Sequence, residues 1–199
     1  MKKEQRKRIV DRHRDSLTRH GYHPNALYWS GQDIQEVRFR VLADIGIESG
    51  DSVLDVGCGF GDFKSWIKGQ AKDISYTGID LSPDLIHLAR EKHPDTELYC
   101  GELADFDFAS ESFDWVVLSG ALNEQLFDDG VYAYRMISSM FELCRKGLAF
   151  NLLDARQLKA HDLQSFYPEE IMNYCSGLDS NTELVDNYLD NDFTVYMRL

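Results

Sequence analysis

No run of about 18 apolar residues, the length that crosses a bilayer, occurs anywhere in this 199-residue chain. The opening MKKEQRKRIVDRHRD also lacks the apolar stretch of a signal peptide. A cytoplasmic protein without membrane association is therefore expected. Cysteine is scarce: Cys58, Cys100, Cys144 and Cys175 are widely spaced, with no C-x-x-C pair and no nearby histidine at metal-ligand spacing. Reduced thiols are expected, and a metal site is not. The six histidines show no triad spacing, so serine or cysteine nucleophilic catalysis finds no support. Positive charge is in short supply outside one place. Residues 1–20 carry eight Lys or Arg against three Asp or Glu, and with the whole chain at −13 the remainder stands at −18. A body that acidic repels phosphate backbones, so broad nucleic-acid binding is not expected. The basic arm reads as a solvated helical face, with contact to RNA or an anionic partner left open.

What is present is the pattern of an α/β protein. The length suits one domain over 1–199, with 1–46 as an N-terminal helical extension or lid. Short apolar runs at 52–56, 75–79, 97–100, 113–118 and 148–153 alternate with helix-period stretches near 62–69, 83–92 and 128–145. That alternation predicts parallel strands joined by crossover helices. Ser82-Pro83 supplies an N-cap followed by proline at the first helical position. Toward the end, a helix near 168–176 precedes strands at 183–187 and 193–198, and Asp190-Asn191-Asp192 between them predicts a hairpin. The expected fold is a Rossmann-like, doubly wound, seven-stranded sheet in three layers, mostly parallel with an antiparallel edge hairpin. Two helices, near 3–20 and 32–45, precede the first strand.

The stretch VLDVGCGFGDF, from Val53 to Phe63, carries the most information. A buried-strand run leads into Gly57-Cys58-Gly59-Phe60-Gly61 and then a helix. Glycines there permit a sharp turn and let backbone N–H groups approach a ligand at the carboxyl edge of the sheet. The dinucleotide fingerprint G-x-G-x-x-G needs glycine where this chain has Asp62, and a carboxylate suits a pyrophosphate poorly. The phosphate-binding G-K-[ST] is absent as well. The ligand at this turn need not be a phosphate.

This stretch resembles the first motif of the class I S-adenosyl-L-methionine (SAM) dependent methyltransferases, (D/E)-x-G-x-G-x-G, matched by Asp55, Gly57, Gly59 and Gly61. TGIDLSPDLIHLAR resembles the next, with Asp80 at the position that binds both ribose hydroxyls and Leu81 beside it. Two carboxylate oxygens suit a vicinal diol. CGELADFDF is similar to the adenine-binding segment, placing Glu102 against the adenine amino group and Leu103 beside the ring. FDWVVLSGALNE resembles the fourth-strand motif, so Ser119 lies near the methionine moiety, and CRKGLAFNLLD matches the turn and strand that follow. The N-terminal stretch and the ending DFTVYMRL resemble a small bacterial group of uncharacterised methyltransferases. The resemblance implies methyl transfer by in-line displacement to a small-molecule acceptor, with S-adenosyl-L-homocysteine (SAH) as product. Where many relatives carry a histidine pair after the fourth strand, this chain has Asn123-Glu124. Asn123 is a candidate for orienting the acceptor and Glu124 for taking a proton.

The acceptor pocket is expected between the N-terminal segment, the loop after Ser119 and the turn after Asp154, with Tyr22, Tyr28, Trp29 and Tyr167 as wall residues. Arg38 projects from the stripe Ile34, Val41, Leu42, Ile45 of the second helix and needs an anionic partner. Asp55 or Asp62 fits that need, and so does the carboxylate of SAM, which would make this helix, with Trp29 before it, a lid over the cofactor. Two other functions compete: a SAM-binding regulatory or partner subunit without methyl transfer, and an NAD-dependent oxidoreductase.

Overall fold

A computed structural model describes residues 1–158, 162–178 and 180–199. The chain runs α1 (Lys3–His20), a 3-10 turn (Pro24–Leu27), α2 (Gln32–Ala43), β1 (Ser52–Val56), α3 (Asp62–Gly69), β2 (Ser75–Asp80), α4 (Pro83–Lys92) and β3 (Glu97–Cys100). A second 3-10 turn (Leu103–Asp105) leads to β4 (Phe113–Ser119), α5 (Val131–Phe141), β5 (Cys144–Leu153), α6 (Pro168–Ser176), β6 (Asn181–Val185) and β7 (Asp192–Arg198). These strands form one seven-stranded sheet in the order β3-β2-β1-β4-β5-β7-β6. The first five pair in parallel, and β7 runs antiparallel to both β5 and β6. The expected hairpin is thus present, and its second strand inserts between its first strand and the body of the sheet.

Period-two alternation sorts the strand side chains onto two faces. Leu54, Val56, Val116 and Leu118 point toward α5 and α6 and bury Met136, Ile137, Met140, Ile171 and Cys175. Val53, Tyr76 and Val117 point the other way, against Phe39 and Leu42 of α2, Phe63 and Ile67 of α3, and Ile86 and Ala89 of α4. Burying both faces is what lets the central strands read as nearly continuous apolar runs. Helix α4 starts as expected, with Ser82 Oγ accepting from Leu85 N and Pro83 at the first position.

Three boundaries differ from expectation. Helix α5 begins at Val131 because Phe127, Asp129 and Gly130 all hold positive φ, and Asp128 accepts from the Gly130 and Tyr132 amides ahead of the first turn. Strand β5 begins at Cys144, four residues early, because its charged start Arg145-Lys146 stays at the surface while β4 and β7 pair along it. Strand β6 lies two residues early, in register with Arg198 to Thr194 of β7. Among the described residues, no helix is long and apolar enough to cross a membrane.

Candidate active site

The carboxyl ends of β1, β2, β3 and β4 open onto a cavity of about 260 Å³. Its floor is the glycine turn. Gly57 and Gly59 hold φ of +79° and +54°, and a side chain on Gly57 would overlap the Cβ of Ala121 in the loop after β4. Glycine is required there both for backbone conformation and for close approach. The Gly57 and Cys58 amides donate to Ile79 O at 2.7 and 2.9 Å, which ties the turn to β2. Cys58 is buried, and burial pushes its thiol well above its ordinary value, so it stays an inert thiol.

Three carboxylates face this floor. Asp80 ends β2 and accepts from the Ser82 amide at 2.8 Å on one oxygen and the Gly59 amide at 2.9 Å on the other. Each oxygen keeps lone-pair capacity for a ligand. Burial raises the Asp80 pKa, opposed by the charge of His13 and by the amide bonds. Asp55 on β1 accepts from Tyr76 Oη at 2.6 Å. Its burial, reinforced by the charges of Asp80 and Asp62 and opposed by that hydrogen bond, lifts it to about 7. Glu102 follows β3 and accepts from the Met1 amino nitrogen at 2.8 Å and from Arg6 Nε and Nη2 at 2.9 and 2.7 Å. Burial works against its ionisation, but these donors outweigh it and hold its pKa low. The carboxylate expected to meet adenine is therefore engaged by α1.

Leu81, Leu103 and Leu122 supply apolar wall, and Ser119 sits at the end of β4, its Oγ accepting from Asn151 Nδ2 at 3.3 Å. Tyr28 and Trp29 line the cavity as expected. Tyr22 and Tyr167 do not: Tyr22 Oη donates to Asp62 at 2.7 Å and its ring packs on Phe60, while Tyr167 is exposed at the residue preceding α6. Asn123 and Glu124 both reach the cavity. Asn123 Oδ1 is buried without a hydrogen-bond partner. Glu124 Oε2 is held by Arg12 Nη1 at 2.9 Å.

Neither protein partner expected for Arg38 is its partner. Asp55 is taken by Tyr76, and Asp62 by Lys92 at 2.7 Å, by Tyr22 and by Gln35. Arg38 instead forms a bidentate pair with Asp192, one bond measuring 2.6 Å, while its guanidinium lies 4.4 Å over the Trp29 ring. Because β7 is antiparallel, its first residue pairs with Leu153 and lands at the carboxyl edge of the parallel strands. That placement is invisible to local spacing. Arg12 and His13 of α1 also line the cavity, and sequence reasoning passed over both. A signal existed: Ile9, His13 and Ser16 follow a helical stripe, and Ile9 and Ser16 are the buried residues of α1. Among the described residues no cluster of His, Cys, Asp and Glu is placed to hold a metal.

This Rossmann-like sheet, with its glycine turn after the first strand and carboxylates following the second and third, is a fold shared with solved SAM-dependent methyltransferases. Residues 53–147, just under half of the chain, match the family described as Methyltransferase domain. The chain is 34% identical over 105 residues to the uncharacterized methyltransferase C70.08c of Schizosaccharomyces pombe, covering 48% of this chain and 40% of that protein. It is also 34% identical over 92 residues to the demethylmenaquinone methyltransferase of Staphylococcus aureus, covering 43% and 37%. The matched regions thus span about two fifths of those curated relatives. Magnesium protoporphyrin IX methyltransferase from Synechocystis, solved with bound SAM, superposes with a TM-score of 0.68 at 18% identity, covering 98% of this chain and 96% of that one.

Proposed function

We infer that this protein transfers a methyl group from SAM to a small-molecule acceptor bound beneath α1. The observation that carries the reading is the charge of the cavity floor. Among the described residues, Asp55 and Asp80 face it without a salt-bridge partner, and Glu102 is taken by the Met1 amino group and Arg6. The two lining arginines, Arg12 and Arg38, are each bonded to a carboxylate, so no lining arginine is left for a phosphate. Such a floor repels a pyrophosphate and suits a cofactor with a sulfonium and an ammonium group. It argues against the NAD-dependent reading, as does Asp62 at the start of α3, where a dinucleotide phosphate would sit. The glycine turn, the lone pairs left on Asp80 and the unpartnered Asn123 Oδ1 fit SAM.

When bound, SAM supplies a methyl group already activated as an electrophile. The chain's own residues align the acceptor, exclude water and hold its proton. In this reading Asp80 accepts from the ribose hydroxyls and Glu102, shared with Arg6, faces the adenine edge between Leu103 and Leu81. The glycine turn, with Cys58, and Ser119 border the methionine moiety. Asn123 Oδ1 accepts an N–H or O–H of the acceptor, which orients its lone pair. Glu124 is neutralised by Arg12 and serves to position rather than to take the proton. Trp29 walls the acceptor space, and Arg38 is a strut that fixes Trp29 and β7. Tyr28, Trp29 and Leu163 around that space lie outside the matched 53–147, so the acceptors of relatives do not transfer with the cofactor site. An acceptor walled by Tyr28, Trp29 and Leu163 beneath a helix is small, and the acidic body disfavours nucleic acid.

Methyl-labelled SAM incubated with the protein and a fractionated cell extract tests this. Label should enter the small-molecule fraction and be lost with Asp80→Ala. Label in RNA or protein would overturn the small-molecule acceptor. Tight SAH binding with no transfer to any fraction would instead establish a SAM-binding regulatory subunit.

A further inference from the structure

We propose that His13, on the lid helix α1, completes the cofactor's ribose site from the side opposite the sheet, donating from Nδ1 to a hydroxyl oxygen of the vicinal diol. The inference rests on the reading of Asp80 as the ribose anchor and adds a residue to it. His13 lines the cavity, and its Nδ1 is buried without a hydrogen-bond partner. A buried polar nitrogen is costly to leave unpaired, so such a position in a ligand cavity marks a bond the ligand makes.

Two features place His13 at the ribose end of the cavity. Its next-but-none neighbour on α1, Arg14, donates to Asp84 at 2.9 Å in the first turn of α4, four residues after Asp80. His13 also lies near enough to Asp80 for a proton on its ring to lower the Asp80 pKa against the burial that raises it. Its ring is fixed edge-on against Tyr28, 5.6 Å between centroids, and the Tyr28 hydroxyl donates to Arg12 O at 2.8 Å. An imidazole held this way is pre-oriented. The division of labour follows from the diol: Asp80 only accepts and takes the hydroxyl protons, which leaves the hydroxyl oxygens as acceptors for an N–H.

The mounting of α1 explains why such a contact matters. Only Ile9 and Ser16 are buried in this helix, and three of its attachments are ion pairs to the loops around the cavity. Arg6 reaches Glu102 and Asp105 after β3, Arg12 reaches Glu124 after β4, and Arg14 reaches Asp84 after β2. The helix thus bridges three of the loops that frame the cavity, and His13 lies between those anchors with its bonding capacity unspent. Cofactor bound below would give α1 a contact it otherwise lacks.

Calorimetric titration of SAH and its 2′-deoxy and 3′-deoxy analogues into the wild type, His13→Ala, His13→Asn and Asp80→Ala tests the assignment, with circular dichroism confirming folding. His13→Ala should weaken SAH binding about tenfold, the scale of one neutral hydrogen bond. His13→Asn, which keeps a short donor, should recover most of that loss. One of the deoxy analogues should be disfavoured by a smaller factor in His13→Ala than in the wild type. Wild-type SAH affinity in His13→Ala, or unchanged discrimination against both analogues, would overturn the role of His13. If Asp80→Ala also bound SAH normally, the ribose site itself would be misassigned; if Asp80→Ala alone lost affinity, only His13 would be excluded.

Discussion

Replacing Arg38 with methionine separates a structural role from a cofactor role for this residue. Its side chain is 11% exposed and that of Asp192 3% exposed, and Arg38 is the only side chain bonded to the Asp192 carboxylate among the described residues. Arg38→Met keeps the apolar volume beneath Trp29 but strands Asp192 as a buried charge. Breaking such a pair from one side costs about 3 to 5 kcal/mol. In a chain of this size that corresponds to a melting shift of about 6 to 20 °C, at roughly 2 to 4 °C per kcal/mol. Adding Asp192→Asn removes the stranded charge, so the double variant should regain part of the loss, with a coupling energy of about 2 kcal/mol. Urea unfolding of the wild type, both single variants and the double variant measures each term, and SAH titration of the folded proteins should show little change. A normally stable Arg38→Met protein that has lost SAH affinity would refute the strut and return Arg38 to the cofactor's carboxylate.

Asp55→Asn should change the pH dependence of stability. With a folded pKa near 7 against an ordinary 3.8, the native wild type binds more protons than the unfolded chain between those values, so this group lowers stability as pH rises through that window. The variant, which keeps an acceptor for Tyr76, should be spared a loss of at most about 4 kcal/mol between pH 4 and pH 8; parallel stability profiles by denaturant titration would contradict the assignment. Gly57→Ala places a side chain at φ of +79° against Ala121, and should cost about 1 to 3 kcal/mol of stability together with most SAH affinity. An alanine variant with wild-type melting and SAH binding would show that the turn does not need its close approach.

The strands, the glycine turn and the carboxylates at strand ends were legible because each depends on neighbours in the chain. Val53 to Phe63 encodes a strand, a left-handed turn and a helix within eleven residues, and Asp80 and Glu102 sit where short apolar runs stop. What escaped depends on pairing across the fold. Arg38 finds Asp192 154 positions away, because β7 enters the sheet backwards. Glu124 meets Arg12 from 112 residues earlier, a pairing that local spacing does not reveal. The basic arm read as a solvated face, yet Arg6, Arg12 and Arg14 each meet a carboxylate at the rim of the cavity. Its charge surplus over 1–20 was visible, and the carboxylates it meets were not.

Titration of SAH into the wild-type protein and Asp80→Ala, with NADH as the control ligand, tests the central assignment most directly. The wild type should bind SAH at one site and gain about 2.7 kcal/mol of unfolding free energy at 100 times the dissociation constant, while NADH leaves it unchanged. Asp80→Ala, still folded, should bind SAH more weakly by about 1.5 to 3 kcal/mol, the range for hydrogen bonds to a charged group. Undiminished SAH binding by Asp80→Ala, or stabilisation by NADH without SAH, would contradict a SAM site at the carboxyl edge of β2.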